Sequence, residues 1–484
     1  MRDEGFMRRI SQHGLMAITA VMLVLGTACV DERIVYRDRD LTGDIPTGHQ
    51  GFVGLTNQQT NLTVCGNCHV SFQGEWEQTA HADAWATLQG SGHAQAFCEN
   101  CHTVNQLGNL ATEAGGFATT GDARYHNVQC ESCHGPGLAH VQNPNDATIP
   151  LAPLAVGTDL TIGCGECHQG AHHPFVEEWE QSGHGAALAS PAGRPECESC
   201  HTGEGALVAW GENADYLEKA SVSQPGQHLA ITCGVCHDPH SADNEGQLRY
   251  AVDVPNEEQN LCMKCHHKRG TPDLASQSRG PHSPEGPVLL GYGGWWPPNM
   301  QFPGTGDTSV IAATHGSVAN PKLCAGCHVN AFSTTDELTG EQVFSVGHMF
   351  AATPCMVNGV PVPGDCASSQ KSYKTCTDAG CHGSEAVARS LEQVATQRLN
   401  TLAAQLNTLI AQIPASEFNA NDGRYSTAEG ARFNYQLINS FPESAVHNPF
   451  LIEALLIASI QQVRTDYGLA APGVSLSRQL GQHN

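Results

Sequence analysis

One five-residue signature, Cys-x-x-Cys-His, occurs eight times in this 484-residue chain and constrains it more than any hydrophobic periodicity does. Its copies end in Cys65, Cys68 and His69; Cys98, Cys101 and His102; Cys130, Cys133 and His134; and Cys164, Cys167 and His168. Four more end in Cys197, Cys200 and His201; Cys233, Cys236 and His237; Cys262, Cys265 and His266; and Cys324, Cys327 and His328. With 21 cysteines and 26 histidines in the chain, chance predicts far fewer than one such run. Two thiols spaced by two residues can each add to one vinyl group of a haem, and the next histidine is then held beneath the ring as the proximal iron ligand. Structural zinc would need the motifs to pair into tetrahedral sets and places no demand on the residue after the second cysteine. A ninth, stretched copy has Cys376, Cys381 and His382 with four residues between its cysteines. The cofactor count is therefore about nine haem c groups.

Three cysteines remain. Cys355 and Cys366 flank a proline-containing loop and are disulfide candidates in an oxidising compartment. Cys29 follows a basic start (Arg2, Arg8, Arg9) and an apolar run from Leu15 to Leu25, too short to span a bilayer and of signal-peptide length. The run Leu25-Gly26-Thr27-Ala28-Cys29 resembles a lipoprotein cleavage site, which makes Cys29 the lipidation candidate; plain cleavage after Ala28 is the alternative. Residues 1–28 thus read as a lipoprotein-like signal peptide, and the mature chain as exported to the periplasm, outer membrane or cell surface. A formal charge of −25 argues against nucleic acid and against anionic membrane surfaces as partners. The expected partners are redox proteins of the cell envelope and, through a lipid anchor, the membrane.

The second axial ligand decides whether a haem carries electrons or binds a substrate. Beyond the nine motif histidines and His13, sixteen histidines are left, enough for nine irons. An internal repeat selects among them. Glu75-Trp76-Glu77-Gln78-Thr79-Ala80-His81 recurs as Glu178-Trp179-Glu180-Gln181-Ser182-Gly183-His184; Cys98–Thr103 maps onto Cys197–Thr202; His126 maps onto His228 and His140 onto His240. The distal candidates are His81, His126, His140, His184, His228 and His240, joined by His282, His315 and His348 in the less regular third part. His267 is set aside as crowded by His266. The domains are a linker at 29–60, a three-haem module at 61–145, its repeat at 146–260, haems seven to nine at 261–383 and a helical region at 384–484. Trp295 and Trp296, in a Gly/Pro-rich loop at 280–306, are expected to shield a haem edge.

The Trp76–His81 element and the run from Cys130 to Gly137 with His140 following resemble the cytochrome c-554-type multihaem cytochromes over roughly 60–270. That resemblance implies closely packed haem pairs, mostly bis-histidine low-spin iron and electron transfer. Members of that family usually carry four haems, so nine is a departure that leaves the specific partner open.

After His382 the pattern becomes helical. Val387, Leu391, Val394, Leu402, Leu406, Leu409 and Ile413 predict an amphipathic helix capped by Ser384 and ended by Pro414. A capping box at Ser426–Glu429 opens a second helix to about Asn439, and Asn448-Pro449 a third running to Gly468. Val446-His447-Asn448-Pro449 with Leu455-Leu456 resembles the C-terminal helical region of pentahaem nitrite reductases and octahaem hydroxylamine oxidoreductases, which implies His447 as a further distal ligand. The lysine-containing Cys-x-x-Cys-Lys motif of the nitrite reductases does not occur, and no catalytic constellation is seen. The expected fold is mainly α with extensive irregular structure around stacked haems, little sheet and a C-terminal helical bundle. An envelope electron conduit leads. A reductase of small nitrogen or sulfur compounds with one open haem, and a subunit of a conductive filament, stay open beside it. With 51 glycines, 26 prolines and 15% charged residues, side chains alone make a thin core, so the haem-free chain is expected not to fold.

Overall fold

The computed structural model describes residues 48–470 apart from 151, 153–162, 187–190, 192, 213–227, 299, 301–309 and 379. Residues 1–28, the signal segment with Cys29 after it, lie outside the described residues. Up to residue 383 the described chain is short helices and turns with three two-stranded hairpins. The first pairs β1 (Leu55–Asn57) with β2 (Leu62–Thr63). Helix α1 (Val70–Trp76) follows the first motif, α2 (Phe175–Glu180) the fourth and α3 (Glu285–Leu290) the seventh. Hairpins β3 (Phe332–Thr335) with β4 (Gln342–Ser345) and β5 (Cys355–Val357) with β6 (Val360–Val362) follow the eighth. Cys355 and Cys366 are joined in a disulfide that closes the loop after β6.

The tail comprises α4 (Glu385–Ile410), α5 (Thr427–Asn439) and α6 (Pro449–Tyr467). The Ser384 side chain accepts from the Val387 amide, Ser426 and Glu429 form the reciprocal capping box, and Asn448 caps α6 with Pro449 at its first position. Helix α4 ends at Ile410 rather than at Pro414, because the last residues before the proline tighten into turns.

Packing divides the molecule. One cluster of 19 buried apolar residues holds the tail, every member but Val288 coming from 399–463. Each buried cluster in the motif region has three members or fewer. So the expectation for a haem-free chain narrows: among the described residues only the tail has an apolar core of ordinary size. The stripe read along α4 also divides, since Val387, Leu391 and Val394 are exposed while Leu402, Leu406 and Leu409 are buried. The shift in register between Val394 and Leu402 separates the half of the helix whose apolar stripe is exposed from the half whose stripe is buried.

The 280–306 segment, read as loop, contains α3, started by Pro284. Trp295 lies against the tail. Its amide donates to Asn434 Oδ1 at 2.7 Å, its carbonyl accepts from Asn434 Nδ2 at 2.6 Å, and its ring covers Gly430 of α5. A Cβ on Gly430 would sit 2.0 Å from the Trp295 ring. Gly430→Ala is therefore expected to cost about 1–3 kcal/mol through overpacking and to lower the melting temperature, read by circular dichroism.

Candidate functional site: facing imidazoles between cysteine motifs

Most motifs begin as a single tight turn. The amides of His69, His168, His237 and His266 donate to the carbonyls of Cys65, Cys164, Cys233 and Cys262 at 2.9–3.0 Å, which folds each histidine back beneath its cysteines. The stretched ninth copy closes the same way, with the His382 amide 3.1 Å from the Cys376 carbonyl. Gly380 takes φ +72° there, a backbone conformation that favours glycine. Four intervening residues thus still present one histidine against two thiols.

Each of seven motif histidines faces a second histidine from elsewhere in the chain. Ring centres are 6.2 Å apart for His168 and His81, 6.0 Å for His134 and His240, and 6.2 Å for His266 and His184. They are 6.0 Å apart for His201 and His282, 6.3 Å for His237 and His348, 6.2 Å for His382 and His315, and 6.2 Å for His328 and His447. Interplanar angles run from 16° to 77°, yet the separation hardly changes. Direct ring packing would tie distance to angle: His126 and Trp85, stacked within 10°, have centres 3.9 Å apart. A constant separation at any rotation is what a shared centre imposes. Two imidazoles bonded to one metal at about 2 Å each would have ring centres roughly 6 Å apart.

The ring nitrogens agree. Nδ1 of His102, His134, His237, His315 and His328 lies 2.6–2.8 Å from the carbonyls of Ala84, Pro150, Gly246, Val446 and Phe350. His348 Nδ1 lies 3.2 Å from its Val346 carbonyl. A carbonyl only accepts, so Nδ1 carries the proton and Nε2 keeps the lone pair a metal needs. Burial pushes His168, His184 and His447 down to about 4, which keeps these imidazoles neutral near pH 7.

Repeated elements place these rings. Trp76 Nε1 donates to the Val128 carbonyl at 2.8 Å, and the Val128 amide donates to the His81 carbonyl at 3.1 Å. Trp179 Nε1 donates to Ile231 at 2.8 Å, and the Ile231 amide to the His184 carbonyl at 3.1 Å. Each tryptophan thus clamps its histidine to the segment leading into the third motif of its module. The buried Glu178 carboxylate accepts from the amides of Val346, His348 and Met349 at 2.9, 2.7 and 3.3 Å. It fixes the loop that carries His348 and, through the Phe350 carbonyl, orients His328.

The motifs also meet through their sulfurs. The thiol of Cys65 lies beside that of Cys130, Cys101 beside Cys167, Cys164 beside Cys233, Cys200 beside Cys265, and Cys262 beside Cys324. Cys133 lies in the neighbourhood of Cys164, Cys236 of Cys262, and Cys327 of Cys381. Counted by motif, the close thiol pairs join 1 with 3, 2 with 4, 4 with 6, 5 with 7 and 7 with 8, and the wider neighbourhoods join 3 with 4, 6 with 7 and 8 with 9.

Paired thiols with a histidine on each face of one plane are the donor set of haem c. A family model described as "Cytochrome c554 and c-prime" matches residues 64–135, and a doubled CXXCH motif model matches 228–271. Over these stretches the chain is similar to multihaem c-type cytochromes. It is 25% identical over 195 residues to the multiheme cytochrome MtrA of Shewanella baltica, a stretch covering 37% of this chain and 54% of MtrA. It is 24% identical over 230 residues to the C-type polyheme cytochrome OmcC of Geobacter sulfurreducens, covering 34% and 28% respectively. The chain therefore aligns with little more than half of one curated relative and less of the other. In fold it is similar to the crystal structure of the outer cell wall cytochrome OcwA, with TM-score 0.51 and 16% identity over 85% of this chain and all of that one.

In this chain His81, His184, His240, His282, His315, His348 and His447 are each brought opposite a motif histidine. Three other candidates are placed differently. His126 stacks on Trp85, His140 Nδ1 faces Thr148 Oγ1 at 3.4 Å, and His228 Nδ1 bonds Glu204 at 2.9 Å. Beside His69, among the described residues, stands the ring of Phe72 at 6.2 Å. Sequence reasoning missed Glu178 as the holder of the His348 loop; as one of two equivalent acids beside a tryptophan it had no distinguishing signal. Glu178→Ala, by leaving three amides unpaired, is expected to loosen His348. Ferric electron paramagnetic resonance should then show one haem equivalent turning partly high-spin while the haem count stays unchanged.

Proposed function

We propose that this chain is an exported electron conduit in which nine motif histidines each hold one haem, most of them paired with a second histidine. The observation that supports the reading is that seven motif histidines each face a second histidine at a ring separation of 6.0–6.3 Å. Bound haem c supplies iron that takes up and releases single electrons. The chain's own residues set where that happens. Cysteines anchor each group, carbonyl-bonded imidazoles present Nε2 to both faces, and the tryptophan clamps and Glu178 hold the distal rings in place. Neutral imidazole on both sides, in a chain of formal charge −25, favours the ferric state and hence mainly negative potentials. Redox proteins of the cell envelope are the expected donors and acceptors. Cys29 is the proposed lipid anchor, and among the described residues no helix is long and apolar enough to cross a membrane.

A reductase of small nitrogen or sulfur oxyanions is the second reading, favoured by Phe72 being the ring that stands beside His69 among the described residues. The purified protein separates the two. Low-spin ferric signals at every haem, fast reduction by dithionite and no turnover of nitrite, hydroxylamine or sulfite support the conduit. A high-spin signal with turnover supports the enzyme. Pyridine haemochrome is expected to give nine haems per chain, and the double variant Cys376→Ala with Cys381→Ala is expected to give eight. An unchanged count in that variant would remove the ninth site.

A further inference from the structure

We infer that His173 is the distal iron ligand at the second motif, opposite His102. This inference rests on the multihaem reading above and extends it to a residue that the sequence repeat does not select.

The assignment comes from a correspondence visible only in three dimensions. In the second repeat, the partner of motif 5 is His282, which faces His201 with ring centres 6.0 Å apart. His282 stands between the seventh motif and α3. Pro284 is the N-cap of that helix, and the Gly286 amide donates back to the carbonyl of motif histidine His266 at 2.8 Å. The same device occurs one module earlier. Pro174 is the N-cap of α2, and the Val176 amide donates back to the carbonyl of motif histidine His168 at 3.3 Å. Two residues before Pro284 is His282, and immediately before Pro174 is His173. The extra residue on the later copy is Ser283, whose φ of +45° takes up the difference.

The motifs served correspond as well. Cys197–Thr202 repeats Cys98–Thr103, so His201 is the counterpart of His102. The thiol contact of Cys200 with Cys265 has its counterpart in Cys101 with Cys167. His184 faces His266 in the later set, and His81 faces His168 in the earlier one. Three of the four histidines of the earlier set are thereby accounted for, and the position left for a partner of His102 is that of His173. Its ring lies 6.4 Å from that of His168, at 80°, and burial, together with the nearby His102 imidazole, pushes its pKa down. His102 is already oriented for a ligand on Nε2, because its Nδ1 is committed to the Ala84 carbonyl at 2.8 Å.

The first module explains why this histidine escapes a sequence repeat. There His69 itself is the N-cap of α1, with no residue between motif and helix. Gln169–His173 is an insertion relative to that arrangement. It provides a donor to the preceding module, a task the first module does not have.

The test uses the full-length haem-loaded protein with His173→Ala, His173→Met and His172→Ala. In His173→Ala the haem count by pyridine haemochrome stays at the wild-type value, and one haem equivalent turns from low-spin to high-spin in ferric electron paramagnetic resonance. Added imidazole restores it. His173→Met keeps that iron six-coordinate and shows methionine–iron charge-transfer absorption, which separates ligation from a folding defect. His172→Ala leaves the spectrum unchanged. A wild-type spectrum in both His173 variants, or the spin change appearing in His172→Ala instead, overturns the assignment. A wild-type protein without covalent haem would sink the underlying reading instead.

Discussion

The architecture depends on pairs of imidazoles held about one coordination sphere apart, and in nearly every pair the two rings come from different parts of the chain. His81 of the first module faces His168 of the second, and His240 of the second faces His134 of the first. His184 faces His266, and His348 faces His237, one module further on. The modules are thus not beads on a string. Each lends rings to its neighbour and borrows others back, so a metal at these positions is a tertiary cross-link as well as a redox centre. This explains how a region whose buried apolar clusters have no more than three members can keep one defined arrangement.

The tail works by the opposite principle. Its three helices bury a continuous apolar cluster and are capped by ordinary side-chain chemistry, with an ion pair between Arg398 and Glu453 across α4 and α6. The two kinds of construction meet at Trp295, bonded to Asn434 on both its amide and its carbonyl, and at His447, which reaches from just ahead of α6 to His328. The conventional core therefore supports part of the metal-dependent region and supplies one of its rings.

How much was legible in the sequence follows from which interactions are local. Motif chemistry needs five consecutive residues, and the helix caps at Ser384, Ser426 and Asn448 need three or four, so both could be read directly. The Trp76 and Trp179 repeats pointed to His81 and His184 because the clamp lies within one module. His126 and His228 recur just as faithfully; one stacks on Trp85 and the other bonds Glu204 through Nδ1, and a repeat records equivalent surroundings without saying which motif a ring faces. Which ring faces which motif is a non-local fact, set by how modules interlock, and no spacing rule encodes it. His173 shows the same limit. Its counterpart is defined by a proline-capped helix start and a backbone hydrogen bond, not by residue identity.

The direction of the pairing bears on how such a chain reaches its final state. His134 must wait for His240, His237 for His348, and His328 for His447, each supplied much later along the polypeptide. As the chain emerges from N- to C-terminus, its leading portion therefore holds unfinished coordination spheres until the next portion arrives. At these centres maturation is retrospective: the helix that follows His447 appears only after a centre begun more than a hundred residues before. At His168, His266 and His382 the partner ring has already emerged, so a polypeptide cut short would leave some centres complete and others poised to capture a stray donor.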